Sequence, residues 1–402
     1  MRRFFVLLLL VPLGLFSNDI RLSEASTVSI LTYGPGDYTY QAFGHTAIRV
    51  WDPTQDFDVI FNFGTFNFED EGFYLKFIRG DLNYYLSTEG PTPALVAYYK
   101  KKSRTLVEQV LDLNLLERQS ILDDLVYRLN GENKYAYRFI DQNCTTKTAD
   151  LINDIILATQ AAHSSKLRHP ALIARSEVNS FLKPDPLLTL GINIVFGVKT
   201  DAAIEDCTFL PTHLYDSLNE AMYNGKPLVK KVNVLSGSID QLYASAIVER
   251  NTGSTLLILI GLGLLIAISL YFYTKKSRSI LANVFCIVLG LTGLVLGYIW
   301  IISAHTETYW NHHLLLFNPL WVLLPFLKNR RLLKLILVAL ALSIIAYVII
   351  ALFDSSYASL FMLLFLLAIV LFEVMVLYFS YRKLSTVHNT VSNTNLKQTI
   401  VK

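Results

Sequence analysis

The stretch "RFIDQNCTTKTADLINDIILA", residues 138–158, predicts a helix that opens on a cysteine. Asp141 or Asn143 can cap this helix, and apolar residues recur at helical spacing from Cys144 onward. Cys144 then lies in the first turn, where the partial positive charge of a helix N-terminus favours a thiolate and lowers the thiol pKa. A cysteine in this position is a candidate nucleophile, although a buried inert thiol is the plain alternative.

Segments rich in β-branched and aromatic residues precede this helix. "TVSILTY" ends at a Gly-Pro-Gly turn, and "FGHTAIRVWDP" and "DVIFNFGTFNF" follow as neighbouring antiparallel strands. Further strands are predicted at "FYLKFIRGDLNYYLS", residues 73–87, and "RTLVEQVLDL", residues 104–113. Asn114 and Glu117 have the spacing of an N-terminal capping pair, so a helix is expected there. From about 160 to 250 the pattern indicates loops, a short apolar segment and one helix, and the fold class is therefore α+β.

The chain divides by composition into a globular part and a strongly apolar part. Residues 1–23 combine two arginines with an apolar run, which is typical of a signal peptide, and residues 24–250 have ordinary globular composition. Residues 251–383 predict a transmembrane domain with five helices, followed by a polar cytoplasmic tail at 384–402. Lysines and arginines follow the first, third and fifth runs, so the positive-inside rule places residues 24–250 outside the cytoplasm. The five runs lie near 255–273, 280–302, 314–327, 332–353 and 358–379.

Composition also argues against several classes of function. The net charge is only +3 and no basic stripe lies in the globular part, which gives no support to nucleic-acid binding. No nucleotide or CoA motif is visible, so we expect no cofactor. At most one disulfide, between Cys144 and Cys207, is available in the globular part. The loop "WIISAHTETYWNHH", residues 300–313, matches no metal-ligand spacing, so we expect either an aromatic belt or, through His305, a role in positioning lipid or substrate.

A cysteine at a helix start and a histidine on a strand are the minimum for thiol catalysis, in which the imidazole deprotonates the sulfur and the sulfur attacks an acyl carbon. His45, in "QAFGHTAIRV", is the candidate histidine, although an ordinary hydrogen-bonded strand histidine is the alternative. About a hundred residues separate His45 from Cys144, so their spacing in the sequence does not show that they meet in the fold.

The order of a strand histidine, further strands and then "NC" opening a helix resembles the circularly permuted NlpC/P60 class of the papain-like fold, which includes the lecithin:retinol acyltransferase-like enzymes. More closely, "LTYGPGDYTYQAFGHTAIRV", "FNFGTFNF", "FYLKFIRGDLNYYL" and "ENKYAYRFIDQNCTTKTADLI" resemble the external domain of the Bacteroidetes lipoprotein N-acyltransferase (Lnb-like) family. This second resemblance covers most of residues 27–220 and extends to the five-run apolar tail.

The resemblance implies an acyltransferase with a periplasmic catalytic domain on a multi-pass protein of the bacterial inner membrane. Its donor would be a membrane phospholipid, and its acceptor the α-amine of the diacylglyceryl-cysteine of a lipoprotein. Cys144 would be the nucleophile that carries the acyl chain as a thioester, and His45 the general base and later acid. An NlpC/P60-like peptidoglycan or acyl hydrolase, and a non-enzymatic membrane scaffold, are the alternatives.

Further groups would complete such a site. Asn62 is the candidate to orient the imidazole, with Asp58 as the alternative, and either can instead be structural. The Cys144 backbone N–H at the helix start would hold part of the oxyanion, and Tyr33, like Asn143, would contact the substrate. We expect the His45 side chain on the face of the sheet that the cysteine helix covers.

Overall fold

The strands and helices of the chain fall into two units. The computed structural model describes residues 20–131, 134–157, 172–182, 186–204, 208–244, 278–353 and 365–378. Residues 1–181 and 203–248 make up the first unit, and residues 182–202 and 249–402 make up the second. Residues 182–202, which the sequence analysis assigned to the globular part, thus group with the apolar part.

The first unit is built on a seven-stranded sheet in which every neighbouring pair is antiparallel. In chain order its strands are β1 (Thr27–Tyr33), β2 (His45–Asp52), β3 (Phe57–Thr65), β4 (Asn83–Glu89), β5 (Leu106–Leu111), β6 (Lys134–Ala136) and β11 (Val229–Ser236). In space they follow the order β11-β5-β1-β2-β3-β4-β6. Two short pairs lie outside the sheet, namely β7 (Leu172–Ile173) with β8 (Ala203–Ile204) and β9 (Met222–Tyr223) with β10 (Lys226–Pro227).

Helices pack on both faces of this sheet. The helices of the first 204 residues are α1 (Phe73–Arg79), α2 (Thr92–Lys101), α3 (Leu115–Asn130), α4 (Cys144–Ile152), α5 (Ala174–Leu182) and α6 (Pro186–Val195), and α7 (Pro211–Glu220) follows β8. On one face of the sheet, Ile48 and Phe61 pack with Leu125 of α3 and Leu151 of α4, and the opposite face packs against Leu95 of α2. Because α4 crosses β2 and β3, its N-terminus is held close to the ends of these strands.

The capping pair predicted for α3 is confirmed. The Asn114 side chain accepts a hydrogen bond from the Glu117 backbone N–H at 3.0 Å, and the Glu117 carboxylate accepts one from the Asn114 N–H at 2.8 Å. Each bond satisfies a donor that the first helical turn would otherwise leave unpaired. Local sequence therefore suffices to start this helix.

Three sequence assignments are wrong between residues 24 and 250. One helix was expected from about 160 to 250, but α5, α6 and α7 lie there. "FYLKFIR" forms the short helix α1 rather than a strand. Gly72 precedes this helix and Gly80 follows it, and both adopt the left-handed conformation, with φ values of 69° and 74°. Of the residues in α1 only Phe73 is buried, so the apolar residues there do not form the buried face of a strand. The strand β11 was not predicted, because its exposed lysines and two register shifts against β5 obscure the alternation.

The described part of the second unit contains two helices that are long and apolar enough to cross a membrane, Ala282–Ile302 and Arg330–Leu352. They belong to α8 (Arg278–Ile302) and α10 (Arg330–Phe353), between which the predicted run at 314–327 is not one helix. This run divides into α9 (His313–Leu316) and a 3-10 helix, Pro319–Phe326. A shorter apolar helix, α11 (Phe365–Tyr378), comes after α10 in the chain. The predicted run at 255–273, the start of the run at 358–379 and residues 1–19 of the signal peptide lie outside the described residues.

Candidate active site

Cys144 is the first residue of α4, and the side chain of Asn143 caps this helix. Asn143 Oδ1 accepts hydrogen bonds from the backbone N–H groups of Thr145 and Thr146, at 2.8 and 3.0 Å. Its Nδ2 donates to the carbonyls of Phe139 and Phe209, at 2.7 and 2.8 Å. The cap predicted for this position therefore forms. Because both polar atoms of this buried side chain bind backbone, the geometry supports a positioning role for Asn143 rather than contact with substrate.

The His45 side chain lies between Cys144 and Asn62. Its Nε2 is 3.1 Å from Asn62 Oδ1. An amide oxygen only accepts hydrogen bonds, so Nε2 carries a proton and Nδ1 is the nitrogen left for the thiol. The His45 ring and the Cys144 thiol are close enough for each to shift the pKa of the other. The predicted residues Cys144, His45 and Asn62 are thus brought together in a line.

Mutual stabilisation of charge changes the pKa values of both members of the Cys144–His45 pair. Burial raises the pKa of the Cys144 thiol, but the His45 charge and hydrogen bonds from His45 and the Thr46 backbone N–H outweigh burial, so the pKa is lowered. Burial lowers the pKa of His45, but the Cys144 charge and hydrogen bonds with Cys144 and Asn62 outweigh it, so the pKa is raised. Both shifts favour a thiolate beside an imidazolium.

His45 interacts with Cys144, as expected, but the expectation that its side chain lies on the sheet face that α4 covers is wrong. Thr46, the next residue, faces α4, because its Oγ1 lies 3.1 Å from Thr145 Oγ1. Successive strand residues point to opposite faces, so His45 points to the other one, where its ring centroid is 5.4 Å from that of Tyr33. His45 is the first residue of β2 and Cys144 the first of α4, so the thiol reaches the imidazole around the strand end.

A small space beside Cys144 is suited to an oxyanion. Gly64 of β3 has φ +88°, and a Cβ placed on it would lie 3.4 Å from Cys144 Cβ and 3.8 Å from both Cys144 N and Tyr135 Oη. Within the described residues the Cys144 backbone N–H has no hydrogen-bond partner. The buried Tyr135 hydroxyl likewise has no hydrogen-bond partner among the described atoms. Burial raises the pKa of Tyr135, and the nearby Gly64 N–H only partly offsets this, so the hydroxyl keeps the proton that it would donate. Two donors therefore border a space that glycine leaves open.

Tyr135, Gly64 and Glu89 were missed by the sequence analysis. Glu89 of β4 lies near Asn62 and His45. Burial raises the pKa of Glu89, and the His45 charge and the Asn62 side chain only partly offset this. A glycine inside an alternating strand signals a close backbone approach, so Gly64 in "FNFGTF" carried a usable signal. Nothing local marks Tyr135 or Glu89.

Three further predicted residues have different surroundings. Asp58, the alternative to Asn62, binds Arg49 at 2.7 Å and accepts a hydrogen bond from the Thr92 hydroxyl at 2.8 Å. Asn62, not Asp58, is therefore the residue beside His45. Tyr33 is 2% exposed and packs on the His45 ring, so it borders the site. His305 lies in the second unit, with Nδ1 3.1 Å from Glu307 Oε1, and a role in binding substrate stays a prediction.

Cys144 is a free cysteine, so it does not form the one disulfide that the sequence allowed, with Cys207, which lies outside the described residues. No group of histidines, cysteines and carboxylates suited to holding a metal occurs in the part of the chain that is described. The arrangement of Cys144, His45 and Asn62 has the groups that attack of a thiolate on an acyl carbon requires.

Comparison with known proteins agrees with this reading at the level of the family. Residues 16–177 match the family model of the Lnb N-terminal periplasmic domain. No curated protein and no solved structure matches the chain. With the two candidate spans, the match indicates a membrane protein that carries a periplasmic domain.

Proposed function

Given that residues 16–177 belong to the family of the Lnb N-terminal periplasmic domain, we propose that this protein is a lipoprotein N-acyltransferase with a cysteine nucleophile. The observation that carries the proposal is the line formed by Cys144, His45 and Asn62, in which the pKa of the thiol is lowered and that of the imidazole is raised. The family match supports a role in lipoprotein processing, and the geometry of the site supports a thiol nucleophile.

In the first half-reaction, the Cys144 thiolate attacks an ester carbonyl carbon of a membrane phospholipid. A C–S bond forms as the carbonyl electrons move onto oxygen, and the oxyanion accepts hydrogen bonds from the Cys144 N–H and the Tyr135 hydroxyl beside Gly64. When the intermediate collapses, the ester C–O bond breaks. The lysophospholipid oxygen takes the proton of the His45 imidazolium and leaves an acyl thioester.

In the second half-reaction, the neutral α-amine of the diacylglyceryl-cysteine attacks the thioester carbon. His45 accepts the proton that the amine loses as the new C–N bond forms. Collapse of this second intermediate breaks the C–S bond and regenerates the Cys144 thiolate beside a protonated His45. Because the thioester conserves the energy of the phospholipid ester, no nucleotide is required for the transfer.

The membrane context favours lipid substrates over peptidoglycan. Two long apolar helices and the match to a periplasmic domain family support a membrane protein with a periplasmic domain, and phospholipid donors and lipoprotein acceptors are both membrane components. A hydrolase would use the same Cys144–His45 pair with water as the second nucleophile, so the two functions differ in the acceptor rather than in the first step.

The proposal is tested by expressing the full chain in bacteria that lack a native N-acyltransferase. Mass spectrometry of lipoprotein N-terminal peptides should show an added acyl chain on the α-amine. The variants Cys144→Ala and His45→Ala should lose this modification at normal protein abundance, and Cys286→Ala, the matched cysteine control, should retain it.

Three results would count against the proposal. A free α-amine in cells making normal amounts of the wild-type protein would refute acyl transfer to lipoproteins. Full activity of Cys144→Ala would remove the thioester step while leaving the acceptor assignment intact. Cleavage of peptidoglycan stem peptides by the wild-type protein, with no lipoprotein acylation, would favour the hydrolase.

A further inference from the structure

Aromatic rings form a continuous series that begins beside Cys144 and ends in solvent. Neighbouring rings in the series are separated by centroid distances of 4.8 to 6.5 Å, which is the range of direct ring contact. The series comes from β6, β4, the loop after β3 and the loop before β2. In order from the thiol it consists of Tyr135, Tyr84, Phe66, Phe68, Tyr40 and Tyr38.

The inner end of the series adjoins the thiol. Tyr135 Oη borders the space next to Gly64 that also borders Cys144 Cβ. Burial raises the pKa of Tyr84, and the charge of Cys144 raises it further, so the thiol is close to this ring as well. Tyr84 is only 5% exposed. The series therefore starts at the atom on which the proposed acyl chain would be held.

The outer end of the series is exposed to solvent. Phe68 and Tyr40 are each 56% exposed and Tyr38 is 62% exposed, and Tyr74 of α1, at 76%, extends the same surface through Phe73. Exposed rings are common one at a time, but a contiguous group of them marks a binding surface. We call Tyr38, Tyr40, Phe68 and Tyr74 the aromatic lip.

We infer that this ring series is the binding track for the fatty acyl chain of the donor lipid, and that the aromatic lip receives that chain from the bilayer. The inference rests on the proposed function, because a chain attached to Cys144 Sγ must lie along some surface that begins there. The rings of Phe66 and Phe68 offer only hydrocarbon contact, so the middle of the track suits an acyl chain and not a lipid headgroup. Two further polar side chains near the thiol, those of Thr46 and Thr145, are hydrogen-bonded to each other and are not part of the ring series.

The gradient of exposure along the track supports the same occupant. Tyr84 is buried, Tyr135 and Phe66 are partly buried, and the lip rings are exposed, so a chain that enters at the lip would remove exposed apolar surface from water along a path that leads to Cys144. A partner protein resting on the lip would bury the exposed rings but would have no reason to follow the series inward to the reacting sulfur. Continuity with the nucleophile therefore selects the acyl chain.

The first test uses full-length protein in proteoliposomes, with phosphatidylethanolamine that carries a photoreactive diazirine at the end of its acyl chain. In the absence of acceptor, illumination should join the chain held on Cys144 to the peptides containing Tyr40 and Phe68. The same diazirine placed in the headgroup should not label them. Chain-end cross-links to other segments of the first unit, with none on the lip, would overturn the track.

The second test compares donors of different chain length. Phe68→Ser should lower kcat/KM for a dipalmitoyl donor by about tenfold, and for a dibutyryl donor by less than about twofold. Tyr127→Ser, a matched control on α3 with 79% exposure, should change neither. Tyr40→Ser is the second lip variant, and thermal unfolding checks that each variant is folded.

The outcomes separate this inference from the proposed function. If the wild-type protein forms a thioester but Phe68→Ser and Tyr40→Ser lose activity equally with long and short donors, the track is wrong and acyl transfer stands. If no thioester forms but chain-end cross-links map to the lip in non-covalent complexes, acyl transfer is wrong and the lip remains a lipid-binding surface. If the cross-links to the lip and the chain-length dependence are both absent, the track is overturned outright.

Discussion

Replacing Gly64 with alanine tests the oxyanion space directly, because the consequences for stability and for activity differ in size. Gly64 has φ +88°, a region in which an alanine is destabilised by about 1–2 kcal/mol. The new Cβ would lie 3.4 Å from Cys144 Cβ, which is an ordinary van der Waals contact, so no clash adds to this cost. The free energy of unfolding should therefore fall by about 1–2 kcal/mol, and the first unit should stay folded.

The effect on catalysis should be much larger. The added methyl would lie 3.8 Å from both Cys144 N and Tyr135 Oη, in the space that the proposed oxyanion needs. Loss of an oxyanion donor in other enzymes lowers kcat by about 10²–10³, or about 3–4 kcal/mol. Thioester formation by Gly64→Ala should therefore slow by at least about a hundredfold.

The assay follows acylation of Cys144 by intact-protein mass in proteoliposomes, and chemical unfolding of the same samples gives stability. Gly225→Ala is the matched control, since Gly225 has φ +75° and nothing lies within 4 Å of its Cβ position. It should lose similar stability and keep wild-type activity. If Gly64→Ala acylates within about threefold of the wild-type rate, or if Gly225→Ala is equally impaired, the oxyanion argument is refuted.

Three other substitutions test the supports of the site. Asn62→Ala removes a hydrogen bond that raises the pKa of His45, so the alkaline limb of the kcat/KM profile should move to lower pH; an unmoved limb would contradict the line of residues. Asn143→Ala should lower the free energy of unfolding by about 2 kcal/mol in urea titrations, since it removes the helix cap and two buried hydrogen bonds, and a loss within error would show that the cap is dispensable. Burial raises the pKa of Asp52, but hydrogen bonds led by the Ser23 backbone N–H lower it from 3.8 to about 2, so its stabilisation is present above about pH 4 and is lost as pH falls through 2. The stability deficit of Asp52→Asn, measured by thermal unfolding, should accordingly shrink between pH 4 and pH 2, and a constant deficit would contradict this assignment.

Features that depend on neighbouring residues could be predicted from the sequence. The cap of α3 by Asn114 and the start of α4 at Asn143 and Cys144 each follow from side chains that bond backbone groups within three residues. The alternation in β2 and β3 identified both strands, and the strand position of Asn62 made it the candidate beside His45. These are local interactions, so their signals are contiguous in the chain.

Assignments failed where the local pattern had more than one solution. The apolar residues of α1 suited a strand until Gly72 and Gly80 bounded a helix there, and the exposed lysines of β11 gave no alternation to recognise. The run at 314–327, whose Pro319 and Pro325 already favoured a kink, divides into a short helix and a 3-10 helix rather than forming one helix.

The sequence by itself determined that Cys144 opens a helix and that His45 begins a strand, because capping and alternation are local. Only the tertiary structure decided that the two meet, since packing of α4 across β2 and β3 brings the helix start to the strand end. It also decided that His45 approaches the thiol from the opposite sheet face, and that Gly64 and Tyr135 border the same space. Those relations join residues far apart in the chain, and no short stretch of sequence encodes the distance between them.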